Sequence, residues 1–555
     1  MRFIIVTLGC KVNQYESQAM EKWLAERGHE QVGPGEDFDL GIVNTCTVTA
    51  VADKKNRNVI RRLRKQCPEA VLAVCGCYSQ VKPEDVRALG ADVISGSGGR
   101  EAFLELALET LADRQRREVL DEALRRREFE VLPAGGLAAR TRAMLKVQDG
   151  CSNFCTYCII PYARGPVRSL SLEEAVAQAK GLADQGYREI VVTGIEIASW
   201  GWDFHDGSRL PSLLDALCEA VPGVRVRLGS LEPRIVDEAF CRLKRHKNLC
   251  PHFHLSMQSG SDGVLARMHR KYDTARYYES VRLLKNAFPG CAVTTDMIVG
   301  FPGETEEEFA ESLAFIQKCG FAAMHVFPYS RRPGTPADKL PGQLGNAVKE
   351  ARSAAAIAAA AEMNRAFREG MVGTVQAVLF EEEASGIRHQ ASGDEGREGS
   401  GIMDQGSESR TVGAVIGRPP AADAFEEEAQ AFPLRGRCPS AHTGADEVAS
   451  DEAPGIRHQA SGDEGREGSG IRDQGSGDEG RGMRILRFAQ NDRPVGGGAL
   501  DAPPSASEAS DAPLWTGHAP NSIRVYAPGE ELHNRVLPVR ITSLYEDGVL
   551  GEIVR

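Results

Sequence analysis

No stretch of the chain approaches the ~20 consecutive apolar residues that a membrane span needs. The opening Met1-Arg2-Phe3-Ile4-Ile5-Val6 is too short an apolar run for a secretory signal and leads directly into Thr7-Leu8-Gly9-Cys10. Fourteen cysteines in 555 residues are too sparse for a disulfide scaffold. The expectation is a protein of the reducing cytoplasm, without a membrane, in which clustered cysteines serve as metal ligands or catalysts. Lysine is missing from residues 381–515, where 13 arginines face 26 acidic residues. That segment carries −13 against −12 for the whole chain, so the remainder stays near +1 and the acidity excludes no nucleic-acid partner.

What is present, first, is alternation. Short apolar runs at 3–8, 40–44, 70–74 and 92–94 are separated by helix-like stretches at 16–27, 52–65 and 83–89. This pattern predicts a parallel sheet covered on both faces. Residues 100–130, rich in arginine (Arg114, Arg116, Arg117, Arg125, Arg126, Arg127), read as a charged helical connector. Alternation resumes from 141, with strands expected at 144–147, 189–193, 225–228, 252–256, 292–299 and 323–327. Helices such as 172–185 and 306–318 lie between them. Six βα units predict a barrel or partial barrel whose chemistry lies at the carboxyl ends of its strands.

An alanine-rich helix at 348–368 reads as a spacer. Residues 373–380 read as a strand that stops at Glu381-Glu382-Glu383, and strand-like sequence resumes near 523–526, then at 535–536, 538–543 and 548–553. Between them the stretch from Gly386 to Ile402 recurs from Gly455 to Ile471. Gly, Ser, Asp and Glu with few aromatics bury too little surface to offset ordering entropy, which predicts a disordered insert splitting one small β-domain. The expected organisation is an α/β domain at 1–98, a helical connector at 99–140, a (βα)6 domain at 141–340 and a helical spacer at 341–370. A small β-barrel follows in two parts, 371–383 and 515–555, around the insert 384–514.

Cys151-Ser-Asn-Phe-Cys155-Thr-Tyr-Cys158 is the sharpest local feature. C-x3-C-x2-C offers an iron–sulfur cluster three thiolates, whereas a ferredoxin-type [4Fe–4S] centre takes four. Three leave one iron open to a small molecule, as a catalytic cluster needs. The alternatives are a zinc site, which favours two separated pairs of ligands, or three reduced structural thiols. Cys10, Cys46 and Cys77 each fall just past a predicted strand, with polar neighbours in Asn13, Asn44 and Gln80. The carboxyl ends of strands form the ligand crevice of open α/β sheets, so these three would converge on a second three-thiolate site. Cys75 competes with Cys77, because residues i and i+2 of an extended segment share a face. Cys77 is preferred because it follows Gly76 beyond the apolar run. Cys67, Cys218, Cys241, Cys250, Cys291 and Cys319 read as small buried residues.

Four barrel turns place glycine and a polar group directly after a strand, where backbone can approach a ligand closely. They are Thr193-Gly194-Ile195-Glu196, Gly229-Ser230-Leu231-Glu232-Pro233, Met257-Gln258-Ser259-Gly260-Ser261 and Gly300-Phe301-Pro302-Gly303-Glu304. With Tyr157, they nominate Gly194, Glu196, Ser230, Glu232, Gln258 and Gly300 as cofactor contacts.

The cysteine motif, with an aromatic before its last cysteine, resembles the signature of the radical S-adenosylmethionine (SAM) enzymes. It continues as Ile159-Ile160-Pro161-Tyr162-Ala163-Arg164-Gly165. Together with Thr7-Leu8-Gly9-Cys10-Lys11-Val12-Asn13-Gln14, Asn44-Thr45-Cys46-Thr47-Val48-Thr49 and His325-Val326-Phe327-Pro328-Tyr329-Ser330, it resembles the methylthiotransferases over 1–380 and 518–555. The wording is closest to the branch acting on N6-threonylcarbamoyladenosine beside the tRNA anticodon, at position 37. The resemblance implies an N-terminal three-cysteine domain, a radical SAM barrel and a C-terminal TRAM domain, a small RNA-binding β-barrel. It implies that Cys151, Cys155 and Cys158 hold a [4Fe–4S] cluster that cleaves SAM to a 5′-deoxyadenosyl radical. It implies that Cys10, Cys46 and Cys77 hold an auxiliary [4Fe–4S] cluster that presents a methylated sulfur, and that a flavodoxin- or ferredoxin-type protein donates electrons. The chemistry agrees, because the C2–H of adenine is not appreciably acidic and its replacement by S–CH3 needs a radical and a sulfur donor. One SAM would methylate the sulfur and a second would supply the radical. The sulfur donor is left open. The extra Cys75 and the split TRAM-like domain depart from the family pattern.

RNA contact calls for cationic and aromatic groups. Lys54, Lys55, Arg57, Arg61, Arg62, Arg64 and Lys65 follow Cys46 on one predicted helix, for which a solvated face is the alternative reading. The TRAM-like segment adds Arg524, Tyr526, Arg535 and Arg540. Methylthiolation of isopentenyl-adenosine in tRNA or of a ribosomal-protein aspartate is disfavoured by the lysine in Gly9-Cys10-Lys11-Val12-Asn13-Gln14. A non-catalytic iron–sulfur RNA-binding protein is disfavoured by the intact C-x3-C-x2-C motif and its glycine-rich turns.

Overall fold

The computed structural model describes residues 1–135, 141–384 and 512–554. The segment 384–514, expected to be a disordered insert, lies almost wholly outside the described residues. The N-terminal sheet is six-stranded and entirely parallel. Its order is Glu30–Gln31, Arg2–Thr7, Leu40–Thr45, Val71–Gly76, Val93–Ser95, Arg117–Val119. Every residue of its two central strands is buried, as apolar runs covered on both faces require. The helices Lys11–Glu26 and Arg100–Asp113 pack Met20, Leu24, Phe103 and Leu104 against one face. The helix Ala50–Gln66 packs Ile60 and Leu63 against the other.

The segment expected as a helical connector belongs instead to this sheet. Arg100–Asp113 covers it, and Arg117–Val119 is its sixth strand. Part of that charge is paired, Arg117 with Asp113 at 2.6 Å and Glu118 of the sixth strand with Arg87 at 2.6 Å, while Arg114, Arg116, Arg125 and Arg127 stay exposed. A short charged strand suits a sheet edge.

Six strands follow at Arg142–Lys146, Glu189–Thr193, Arg225–Leu228, His252–Leu255, Ala292–Val299 and Ala323–Pro328. The first three form one parallel sheet. The last three, with Ser230–Leu231, form a second, and Gly229 carries the chain from one to the other. The result is a partial (βα)6 barrel around one large apolar core. The alanine-rich helix Asn346–Glu369 is more than a spacer. It buries Ala356 and Ala360, Arg352 pairs with Glu304 at 2.6 Å, and Asn364 Nδ2 donates to Ala322 O at 2.7 Å beside the last barrel strand.

The C-terminal strands close into a five-stranded barrel in the order Val375–Glu383, Leu514–His518, Arg524–Pro528, Gly548–Ile553, Val536–Tyr545. Two expectations are corrected here. The first strand runs through Glu381-Glu382-Glu383, because the Glu381 carboxylate accepts from Arg142 and meets His518 Nδ1 at 2.7 Å instead of facing solvent. Strand structure resumes at Leu514, whose side chain is buried, so the insert ends before it.

Glu383 pairs directly with Trp515, and Ala384 N donates to Leu514 O at 2.7 Å. The ends of the insert therefore already meet, and closure cost changes by only ~0.6 kcal/mol per doubling of loop length. Replacing 385–511 by a short Gly/Ser linker should leave the melting temperature, and the tRNA modification expected from the sequence, unchanged. A large loss of modification in the shortened protein would show that the insert acts.

Candidate functional site

Three strand ends of the N-terminal sheet carry the first cysteine set. Cys10 caps the helix Lys11–Glu26, Cys46 follows Leu40–Thr45, and Cys77 opens the short helix Cys77–Val81. Gly9 has φ +103°, and a Cβ there would lie 2.5 Å from Cys46 Cβ and 2.7 Å from its Sγ. Only glycine lets the Cys10 loop close this tightly on Cys46. Asn13 ties the loops together, its Nδ2 donating to Leu8 O at 2.8 Å and Thr45 O at 2.9 Å. Asn44 Nδ2 donates to Asn13 O at 3.0 Å. Gln80 turns to the neighbouring loop, donating to Asp121 O at 2.8 Å. Burial pushes the Cys46 thiol up to about 12, and the nearby Cys77 and Cys10 add to the rise. The bare Cys46 thiol stays protonated, and binding iron would release its proton. Cys75 and Cys77 part company: Cys75 packs in the apolar core with Phe103 and Leu104, whereas Cys77 Sγ accepts from Arg164 Nε at 3.3 Å.

The second set sits in a loop that begins after Gly150, whose φ of +72° and contact with Pro166 O leave no room for a side chain. Phe154 takes the left-handed conformation at φ +47°, and Cys158 N donates to Cys155 O at 2.9 Å. Cys151, Cys155 and Cys158 open together on a cavity of 150 Å³ that Tyr157, Glu196, Ser230, Glu232 and Gln258 also line. Burial pushes the Cys151 and Cys158 thiols up to about 12. Burial and then Glu232 raise the Glu196 carboxyl to about 7. A larger cavity of 530 Å³ continues past the same Glu196 and Glu232.

Two predicted contacts are not in the lining. A Cβ on Gly194 would meet Gln148 O at 2.8 Å, so this glycine serves strand packing. Gly300 faces the helix Asn346–Glu369, where its Cβ would lie 2.5 Å from Lys349 Cγ. Sequence reasoning missed Arg270, which lines the cavity and whose Nη1 donates to Cys155 Sγ at 3.2 Å.

Between the two sets lies a buried ion network that the sequence reading also missed. Glu16 accepts from Arg164 at 2.7 Å, Arg100 at 3.0 Å and Lys146 at 3.2 Å. Asp149 pairs with Lys146 at 2.6 Å and Arg164 at 3.2 Å. Arg332, after the last barrel strand, reaches Asp53 at 3.0 Å and Thr47, the neighbour of Cys46. The available signal was Lys146, a charge inside an apolar strand.

Of the RNA candidates, Lys54, Lys55, Arg61, Arg62, Lys65, Arg535 and Arg540 are exposed. Arg57 is half-buried and donates to Tyr78 OH at 3.3 Å, Arg64 pairs with Asp92, and Arg524 pairs with Asp547 at 2.8 Å. Tyr526 is corrected: it is buried, with its ring 4.8 Å from Tyr545 and its hydroxyl on Asp547.

Each set presents three soft sulfur ligands and one arginine donating to a ligand sulfur, a donor set that fits a three-thiolate iron–sulfur cluster. Cys77→Ala is expected to lower bound iron by about half, as one of two clusters is lost. Cys75→Ala should keep all the iron and cost only stability. Iron analysis with a thermal melt checks both, and the reverse pattern contradicts the assignment.

The family model for the radical SAM superfamily matches residues 145–316, and that described as uncharacterized protein family UPF0004 matches residues 2–96. The chain is 42% identical over 379 residues to the threonylcarbamoyladenosine tRNA methylthiotransferase MtaB of Bacillus subtilis (strain 168), spanning 68% of this chain and 84% of that protein. It is 37% identical over 355 residues to the MtaB of Aquifex aeolicus (strain VF5), spanning 63% and 86%. It is 33% identical over 396 residues to the tRNA-2-methylthio-N(6)-dimethylallyladenosine synthase of Pelotomaculum thermopropionicum, spanning 69% and 87%. With both three-cysteine regions inside the matched segments, the chain belongs to the radical SAM methylthiotransferase family.

Proposed function

We propose that this protein transfers a methylthio group to C2 of N6-threonylcarbamoyladenosine at position 37 of tRNA. Its cofactors are two [4Fe–4S] clusters and SAM. The observation that carries the reading is the pair of three-cysteine sites, each one ligand short of a closed centre, joined by a single buried ion network. Cys151, Cys155 and Cys158 would hold one cluster and Cys10, Cys46 and Cys77 the other. When bound, the clusters supply the electron that cleaves SAM and a site for the transferable sulfur.

The chain's own groups account for the rest. SAM carries an ammonium, a carboxylate and a sulfonium. Glu196, Glu232 and Arg270 all line the cavity, so both signs of charge on the ligand find partners. Arg270 is held for this by Tyr272 OH at 3.0 Å and Ser256 O at 3.3 Å. The exposed face of the helix Ala50–Gln66, with Lys54, Lys55 and Arg61, begins four residues after Cys46 and suits RNA phosphate. Arg540 extends that role to the C-terminal barrel. A flavodoxin- or ferredoxin-type protein is the electron donor in this reading, and the cytoplasm is the compartment. Among the described residues no helix is long and apolar enough to cross a membrane.

The test uses reconstituted protein with dithionite, SAM, sulfide and an anticodon stem-loop bearing threonylcarbamoyladenosine. It should form 5′-deoxyadenosine and a methylthiolated product, and a stem-loop with plain adenosine should stay unmodified. The Cys151/Cys155/Cys158→Ala variant should keep about half the iron yet form no 5′-deoxyadenosine. Loss of all iron from that variant contradicts two separate sites.

A further inference from the structure

Arg164 lies six residues beyond Cys158, at the end of the helix Ile160–Arg164, yet its guanidinium reaches the other cysteine set. It is fully buried. Nε donates to Cys77 Sγ at 3.3 Å, Nη2 to Asn13 Oδ1 at 2.7 Å, and Nη1 to Glu16 at 2.7 Å and Asp149 at 3.2 Å. In this network four buried cations, Arg100, Lys146, Arg164 and Arg168, share two buried carboxylates, Glu16 and Asp149. Buried charge without a counter-charge is costly, so the surplus calls for an anion. Glu130 near Arg100 and Asp121 near Arg168 supply counter-charge at the solvent-facing edge of the network. At the Arg164 guanidinium itself, beside Glu16, Asp149 and Asn13, the remaining acceptor is the sulfur of Cys77, which a bound cluster would hold as thiolate.

We propose that Arg164 is a positioning residue of the auxiliary site: clamped by Glu16 and Asp149, it donates to the Cys77 sulfur and raises the reduction potential of the cluster bound there. The inference rests on the assignment of Cys10, Cys46 and Cys77 as ligands made above. Hydrogen bonds to ligand sulfurs and net local charge are among the protein's levers on cluster potential. Reduction adds one negative charge to the cluster, and a cation fixed at a ligand sulfur in a dry interior favours that state. Because Arg164 follows the SAM-cluster motif in the chain, one domain completes the electrostatic environment of a cluster held by the other.

Arg332 provides the control. It is a second buried arginine that reaches the N-terminal domain, from just after the last barrel strand, on Thr47 and Asp53, and among the described residues it donates to no sulfur. Substituting Arg164 leaves no carboxylate alone, since Glu16 keeps Arg100 and Lys146 and Asp149 keeps Lys146.

The experiment starts from the Cys151/Cys155/Cys158→Ala background, which isolates the auxiliary cluster. One electron from dithionite converts that cluster from its diamagnetic to its paramagnetic state, and electron paramagnetic resonance follows the titration. Arg164→Met should move the midpoint potential to a more negative value, and Arg164→Lys should recover part of the shift. Arg332→Ala should lower the melting temperature and leave the midpoint in place. An unchanged midpoint in Arg164→Met overturns the proposal, as does an equal shift in Arg332→Ala. If Arg164→Met fails to hold a cluster, Arg164→Gln is read by the same criterion. A background protein without iron would contradict the ligand assignment instead, a separate failure.

Discussion

The structure turns on one buried carboxylate. Glu16 belongs to the helix that Cys10 caps, and it is shared by Arg100 of the N-terminal domain and by Lys146 and Arg164 of the barrel. Separating the two domains would leave Glu16 with Arg100 but break its buried pairs with Lys146 and Arg164, and removing one partner of a buried pair costs about 3–5 kcal/mol. Docking is therefore set by charge as well as by apolar area. The same contact orients both cysteine sets, because Glu16 is six residues from Cys10 and Arg164 is six residues from Cys158.

From that constraint the geometry of the sites follows. Parallel sheets deliver their strand ends to one edge, and each half of the molecule uses that edge for three cysteines. An arginine donates to one sulfur in each set, Arg164 to Cys77 and Arg270 to Cys155. Both sets resemble each other in construction although their sequences do not. The C-terminal barrel is fastened beneath, through Arg142 to Glu381 and Arg227 to the carbonyls of Ala519 and Pro520, the last at 3.0 Å.

Local features were legible in the sequence. The C-x3-C-x2-C spacing, the six barrel strands and the placement of Cys10, Cys46 and Cys77 after strands all rest on neighbours within a few residues. Contacts across long separations were not legible. Glu16 and Arg164 are 148 residues apart, and neither looks unlike a surface charge on its own helix. Arg117 and Glu381 misled for the same reason, since a charge reads as solvated until its partner is known. Gly300 failed differently: a glycine after a strand signals close approach, and here the approaching group is Lys349 rather than a ligand. Leu514–His518 was hidden by the biased insert that directly precedes it, which the composition extended to 514.

The central claim, that both sites serve one modification of tRNA, is tested most directly by nucleoside mass spectrometry of total tRNA from a strain lacking this gene. The account predicts that the 2-methylthio form of threonylcarbamoyladenosine disappears, that its unmethylthiolated precursor accumulates, and that a plasmid copy of the gene restores the product. Retention of that nucleoside, or loss of the isopentenyl-type methylthio nucleoside in its place, would contradict it.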